Sequence, residues 1–134
     1  MSLMLWDDSF SVNVLEIDLQ HRKLIDMINA FYEHVGKDSD QVFTTLLDSL
    51  VEYTHYHFST EEKYFEKFAY PDAESHREMH KKFVEKVFDV RNRLNNGQLV
   101  ISFEITTFLK DWLTHHIKQS DKAYSKFFND HGLS

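Results

Sequence analysis

Residues 50–64 read LVEYTHYHFSTEEKY. Steps of three or four connect Leu50, Tyr53, His57, Glu61 and Tyr64, so all five share one side of an α-helix. Apolar neighbours mark that side as the one facing a core. His57 and Glu61 are therefore ionisable groups on a core stripe. A buried carboxylate without a partner costs several kcal/mol, so Glu61 needs something positive beside it. Another face of the same stretch carries Asp48, Glu52, His55, Ser59 and Glu62. It reads as a solvent face and turns His55 outward.

Working outward from this helix, three more segments show the same period. The first spans about 18–35, with Leu24, Ile25, Ile28, Phe31, Tyr32 and Val35 on its stripe. The second is the quoted helix, about 41–68, to which Phe43, Leu46, Leu47, Phe65 and Phe68 also belong. The third spans about 72–94 with Ala73, Phe83, Val84, Val87, Val90 and Leu94. The fourth spans about 102–128 with Ile105, Leu109, Trp112, Leu113, Tyr124 and Phe127. Breakers separate them: Gly36 as a helix stop, Asp40 as an N-cap, Pro71 at a helix start, and Asn95-Asn96-Gly97. Ahead of them, residues 1–17 form an arm holding Trp6, Phe10, Val12, Val14 and Ile17, too apolar to stay in solvent. The expectation is an all-α, up-down-up-down four-helix bundle, a single domain over 1–134 with the N-terminal arm packed along it.

Composition agrees. With 134 residues, roughly two-thirds of the unfolded surface can be buried in one core. Three Gly and one Pro are too few for the turns of a β-sandwich. The net charge of -7 argues against nucleic acid or an anionic membrane as partner. No basic-plus-apolar start reads as a signal peptide and no 18-residue apolar run as a membrane span. A cytoplasmic protein with no membrane and no nucleic acid is expected. Cysteine is absent, which removes disulfides, thiolate zinc sites, iron–sulfur clusters and thiol nucleophiles. Histidine, by contrast, occurs nine times.

Five of those histidines lie on core stripes. His21 leads into Leu24, Ile25 and Ile28. His57 is joined by Glu61. His76 and His80 continue into Phe83 and Val87. His116 follows Leu109, Trp112 and Leu113. The remaining four do not: His55 and His115 share faces with charged residues, and His34 and His131 follow no stripe. A single inward histidine is more often a core residue with a hydrogen-bond partner. Four helices each supplying an inward imidazole or carboxylate make a buried cation the better explanation. Residues four apart stack on one helix face. His76 and His80 can thus grip one ion, as can His57 and Glu61, with a carboxylate oxygen left to bridge a second. Asp121 comes five after His116, about 140° further round a regular helix, so its participation requires a local distortion such as a π-bulge.

Other metal chemistries fit less well. His76-Arg77-Glu78-Met79-His80 lacks the glutamate directly after its first histidine, so the H-E-x-x-H protease signature fails. A ferritin-like site needs two Glu-x-x-His motifs; Glu52-Tyr53-Thr54-His55 is the only one, and it faces out. A two-histidine, one-carboxylate iron site leaves three inward histidines idle. Five imidazoles and two carboxylates remain.

In this respect the chain resembles the hemerythrin family, closest to its single-domain bacterial form. The matching pattern is Asp18-x-Gln20-His21, His57-x3-Glu61, His76-x3-His80 and His116-x4-Asp121, with Trp6 and Asp121-Lys122-x-Tyr124 alongside. The resemblance covers nearly the whole chain. It implies two Fe ions with an oxo or hydroxo bridge: His76, His80 and His116 on one, His21 and His57 on the other, Glu61 and Asp121 across both. It implies dioxygen as ligand at the open position of the second iron. Leu24, Ile25, Phe58, Trp112, Leu113 and Ile117 lie within a turn of these residues and are expected to form a dry, apolar pocket for it, with no further acid or base aimed in. The expected function is reversible oxygen binding for transport, storage or local supply, without enzymatic turnover. Sensing of oxygen, redox state or iron through the same site is the alternative, and an oxygen-using client enzyme or signalling partner is the expected recipient.

Overall fold

Among residues 3–34, 40–95 and 102–134, which the computed structural model describes, the chain forms four helical rods and no strand. The first three are α1 (Leu15–Glu33), α2 (Asp40–Phe68) and α3 (Ala73–Asn95). The fourth is continuous but changes its winding. It runs as α4 (Ser102–His115), a π-helical turn (His116–Asp121) and α5 (Lys122–Asp130). α1 packs on α2 and α4, and α2 packs on α3. This is the up-down-up-down bundle that the stripes predict.

The stripes meet in a core that includes Phe31, Leu47, Leu50, Phe65, Leu109 and Phe128, none more than 2% exposed. Burying each such side chain stabilises the fold by about 1.5–3 kcal/mol. No helix of the described residues is long and apolar enough to cross a membrane.

The helix ends depart from the sequence expectation in physically readable ways. α1 begins at Leu15, not 18, so the arm ends at Val14 and Ile17 belongs to the helix. Asp18 does not start the helix. Its carboxylate reaches back, accepting from the Val12 amide (2.8 Å) and the Ser11 hydroxyl (2.6 Å), and so anchors the arm. The arm is held from the other side as well, where the Ser125 hydroxyl donates to the Val12 carbonyl at 2.6 Å. The arm's own Met4, Phe10, Val12 and Val14 are buried. Pro71 lies in the turn before α3 rather than in its first position, and the His76 amide bonds the Asp72 carbonyl at 3.0 Å. The fourth rod runs past 128 to Asp130, where Gly132 (φ 88) supplies the left-handed residue that ends it. Val35 and the Gly36 and Asn96-Gly97 stops lie outside the described residues, as do the side chains of Asp40, Phe43 and Leu94.

Antiparallel alternation has a consequence for the polar positions. His21 is early in α1, His57 and Glu61 in the second half of α2, His76 and His80 early in α3, and His116 midway along the fourth rod with Asp121 after it. Reversing direction at each connection therefore brings all of them to the same level of the bundle.

Candidate metal centre

The seven inward polar residues singled out above are buried, none more than 5% exposed. Their donor atoms form two groups, each drawn within 4.8 Å. One group is His76, His80 and His116 with Glu61 and Asp121; the other is His21 and His57 with the same two carboxylates. Glu61 and Asp121 are common to both.

Each helix contributes by a simple local device. On α2 the one-turn spacing sets His57 Nε2 3.0 Å from Glu61 Oε1. On α3 it sets His76 Nε2 2.9 Å from Asp121 Oδ1 and His80 Nε2 3.4 Å from Glu61 Oε1. From α1, His21 Nε2 reaches Asp121 Oδ2 at 3.0 Å and approaches His57 Nε2 at 3.1 Å. The fourth rod needs the π-helical turn. His116–Asp121 is that turn, and the extra residue in it brings positions five apart onto one face, with His116 Nε2 3.0 Å from Asp121 Oδ1.

These close approaches are not a settled hydrogen-bond network. Both oxygens of Glu61, both of Asp121 and Nε2 of His76 are buried with no aligned hydrogen-bond partner, although nitrogens lie near them. The lone pairs converge on shared points rather than on one another. Buried polar atoms in folded proteins are nearly always satisfied, and a cation at each focus would satisfy them. The outer nitrogens support the same reading. His57 Nδ1–H donates to Gln20 Oε1 at 2.7 Å, which leaves Nε2 bare for a metal. The donor set is nitrogen and carboxylate oxygen only, suited to iron or zinc and not to calcium.

The electrostatics of the metal-free cluster tell the same story. Burial, together with the other carboxylate, pushes the Glu61 carboxyl upward. His57 and His80 outweigh this and hold it far below the usual carboxylate range. Asp121 is likewise raised by burial but held well down by His116, His21 and His76. His57 is lowered chiefly by burial. His80 is lowered by burial but lifted more by Glu61 and Glu62, to about 9. The two carboxylates stay charged because the imidazoles around them offset the cost of burial.

Of the six apolar pocket candidates, Leu24, Ile25, Phe58, Leu113 and Ile117 are buried and Trp112 is half-buried. Phe58 stacks on His80 (centroids 3.7 Å apart, 5° between planes) and Trp112 on His116 (4.3 Å, 14°). These two aromatics thus cover the three-histidine group. A surface cleft of about 520 Å3 runs beside them, lined in part by Met79, Phe108, Trp112 and His116; the four aliphatic candidates do not line it. His55 and His115 are exposed, and the His115 ring turns back onto the Asp111 carbonyl (2.8 Å).

Sequence reasoning missed the residues that hold the histidines from behind. Gln20 bonds His57 and is itself held by Thr60 (3.2 Å); it stands in the matching pattern before His21, but the pattern gave it no role. Glu62 belongs to the solvent face by phase, yet its carboxylate accepts from His80 Nδ1 at 3.3 Å. Tyr124 counts as apolar stripe, and the expectation that no further acid or base faces the site must be corrected for it. Its hydroxyl is fully buried without an aligned partner, and burial and the nearby Asp121 and Glu61 raise its pKa well above 10.

A four-helix bundle whose core holds two overlapping groups of imidazoles, bridged by two shared carboxylates, is a non-haem metal-binding bundle. Residues 13–128 match the family model of the hemerythrin HHE cation binding domain, and the chain belongs to the hemerythrin family, whose members bind oxygen at a di-iron centre. It is 36% identical over 127 residues to a bacteriohemerythrin of Stenotrophomonas maltophilia (strain R551-3), covering 93% of this chain and 81% of that one. A bacteriohemerythrin of Methylococcus capsulatus (strain Bath) is 32% identical over 125 residues, covering 92% and 95%. A crystal structure of wild-type hemerythrin superposes with a TM-score of 0.89 at 31% identity, covering 93% of this chain and 97% of that chain.

Proposed function

We propose that this chain binds dioxygen reversibly, with His76, His80 and His116 as ligands of one iron, His21 and His57 of the other, and Glu61 and Asp121 bridging. The observation that carries the reading is the pair of buried donor groups sharing those two carboxylates. Iron held there would supply the electrons that dioxygen takes up on binding and returns on release.

The chain's own residues favour release over onward chemistry. Five neutral imidazoles against two carboxylates leave the site less anionic than a carboxylate-rich one, so the oxidised state is stabilised less. The three-histidine group offers one imidazole more than the two-histidine group, so iron held by His21 and His57 would keep a position to spare for the gas. Phe58 and Trp112 lie flat on ligand rings, and Leu24, Ile25, Leu113 and Ile117 fill the surrounding core. The buried aliphatic side chains would keep water and protons from gas held in the core. Tyr124 is the exception, a buried phenol beside Glu61 that stays protonated at neutral pH.

Transport, storage or local supply follows, with no turnover, and with a cytoplasmic oxygen-using enzyme or signalling partner as recipient. The test is optical. Protein loaded anaerobically with ferrous iron should colour when oxygen is admitted and bleach when it is removed. A colour that cannot be reversed by degassing, or steady oxygen consumption with a reductant present, contradicts the proposal.

A further inference from the structure

The two histidines whose outer nitrogens have a described partner are held in unlike ways. His57 donates Nδ1–H to the neutral amide oxygen of Gln20 at 2.7 Å, deep in the bundle. His80 donates its Nδ1–H to Glu62 Oε2 at 3.3 Å. Glu62 is a carboxylate reaching in from solvent, its side chain 35% exposed. Its other oxygen lies 3.5 Å from Arg77 Nε on α3. Arg77 also approaches Glu74 at 3.9 Å, and Glu74 is 99% exposed.

The backbone explains the arrangement. Glu61 and Glu62 are consecutive on α2, and a helix turns about 100° per residue. One carboxylate therefore enters the core while the next lies over the seam between α2 and α3. Arg77 is three residues before His80, so it stands one turn away on the same side of α3. A guanidinium and an imidazole from one helix thus grip the two oxygens of one carboxylate from the other. Phe58 meanwhile fixes the face of the His80 ring.

We propose that Glu62, a surface carboxylate, is the positioning residue for His80 and makes that imidazole a stronger metal donor than His57. This rests on His80 being a metal ligand, as proposed above. A carboxylate on the far nitrogen fixes the tautomer with Nε2 bare and aims the ring at the metal. It also pushes electron density through the ring, which a neutral amide does far less. The two halves of the site therefore differ in electron richness as well as in histidine count, and the difference is set from the protein surface, within reach of solvent.

The test compares wild type with Glu62→Ala, Glu62→Gln and Glu74→Ala. The probe is zinc ion, titrated against a competing chromophoric chelator, so that neither iron nor oxygen is needed. Loss of a carboxylate behind a metal-bound histidine lowers affinity by about 10–100-fold. Glu62→Ala should show a loss in that range. Glu62→Gln, which still accepts the hydrogen bond without the charge, should fall between it and wild type. Glu74→Ala removes a charge beside Arg77 without touching His80 and should bind as wild type does. In the zinc-loaded protein the Nδ1–H resonance of His80 should move in Glu62→Gln while that of His57 stays. The proposal is overturned if Glu62→Ala binds zinc within about twofold of wild type, or if Glu74→Ala loses as much. Failure of wild type to take up two ferrous ions or to bind oxygen counts against the function proposed above, whereas the zinc titration judges Glu62 separately.

Discussion

The bundle has two ends built on one periodicity. At one, Ile28, Phe31, Leu47, Leu50, Val87, Val90, Ile105 and Leu109 fill the space between the rods. At the other, the same four rods send in five imidazoles and two carboxylates. The apolar end is complete in itself, since its side chains satisfy one another by contact. The polar end is not, because both oxygens of Glu61 and both of Asp121 are buried without aligned partners. The helical period chooses which residues enter the core. Whether the core is finished depends on their chemistry, and the same fold yields a self-sufficient half and a half whose donors suit cations.

Metal removal should break the comparison most strongly. An ion present at a thousandfold its dissociation constant stabilises the fold by roughly 4 kcal/mol, so stripping the metals should cost several kcal/mol. The loss should be local. Amides around His57, Glu61 and the π-helical turn should exchange with solvent much faster, while those around Leu47 and Leu50 stay protected. Equal loss of protection at both ends would mean that the halves are not separable.

The converse perturbation is Leu50→Ala, at the apolar end. It should cost about 2–5 kcal/mol in denaturant unfolding and leave the metal content per chain unchanged. A drop in metal content would show that the donor end leans on the apolar one.

Acidity sharpens the contrast further. In the metal-free protein His80 titrates near 9, above the 6.5 of a free histidine. The unfolded chain then binds fewer protons than the folded one between those values. His80 therefore contributes stability that is fully present below pH 6.5 and is lost as pH rises through 9. The urea midpoint of metal-free protein should fall over that interval. With metal on Nε2 there is no proton there to lose, and the midpoint should be flat. A parallel fall in both forms would show that the metal does not sit on His80.

The smallest effect separates neighbours on one helix. His55→Ala should change stability by less than about 0.5 kcal/mol, as an exposed substitution does, and should retain metal. His76→Ala should lose it. Metal analysis of the two variants side by side checks the face assignment.

Much of this was legible in the sequence because a 3.6-residue period is a strong signal over four long segments. Legibility fell where partners come from another helix. Nothing local marks Glu62 as the partner of His80, since by phase it belongs with Glu52 and Ser59. Tyr124 reads as stripe because a phenol differs from Phe only at its tip. Asp18 resembles a helix start, but its carboxylate holds the arm, which only the folded chain reveals. The π-helical turn was readable because His116 and Asp121 cannot share a face on a regular helix. That local misfit between spacing and geometry pointed to the distortion that is found.

The central claim is that two buried donor groups sharing Glu61 and Asp121 hold two ions. Its most direct test is an anaerobic titration of the metal-free protein with ferrous iron, followed to saturation. The expected end point is two irons per chain. An end point at one would contradict it.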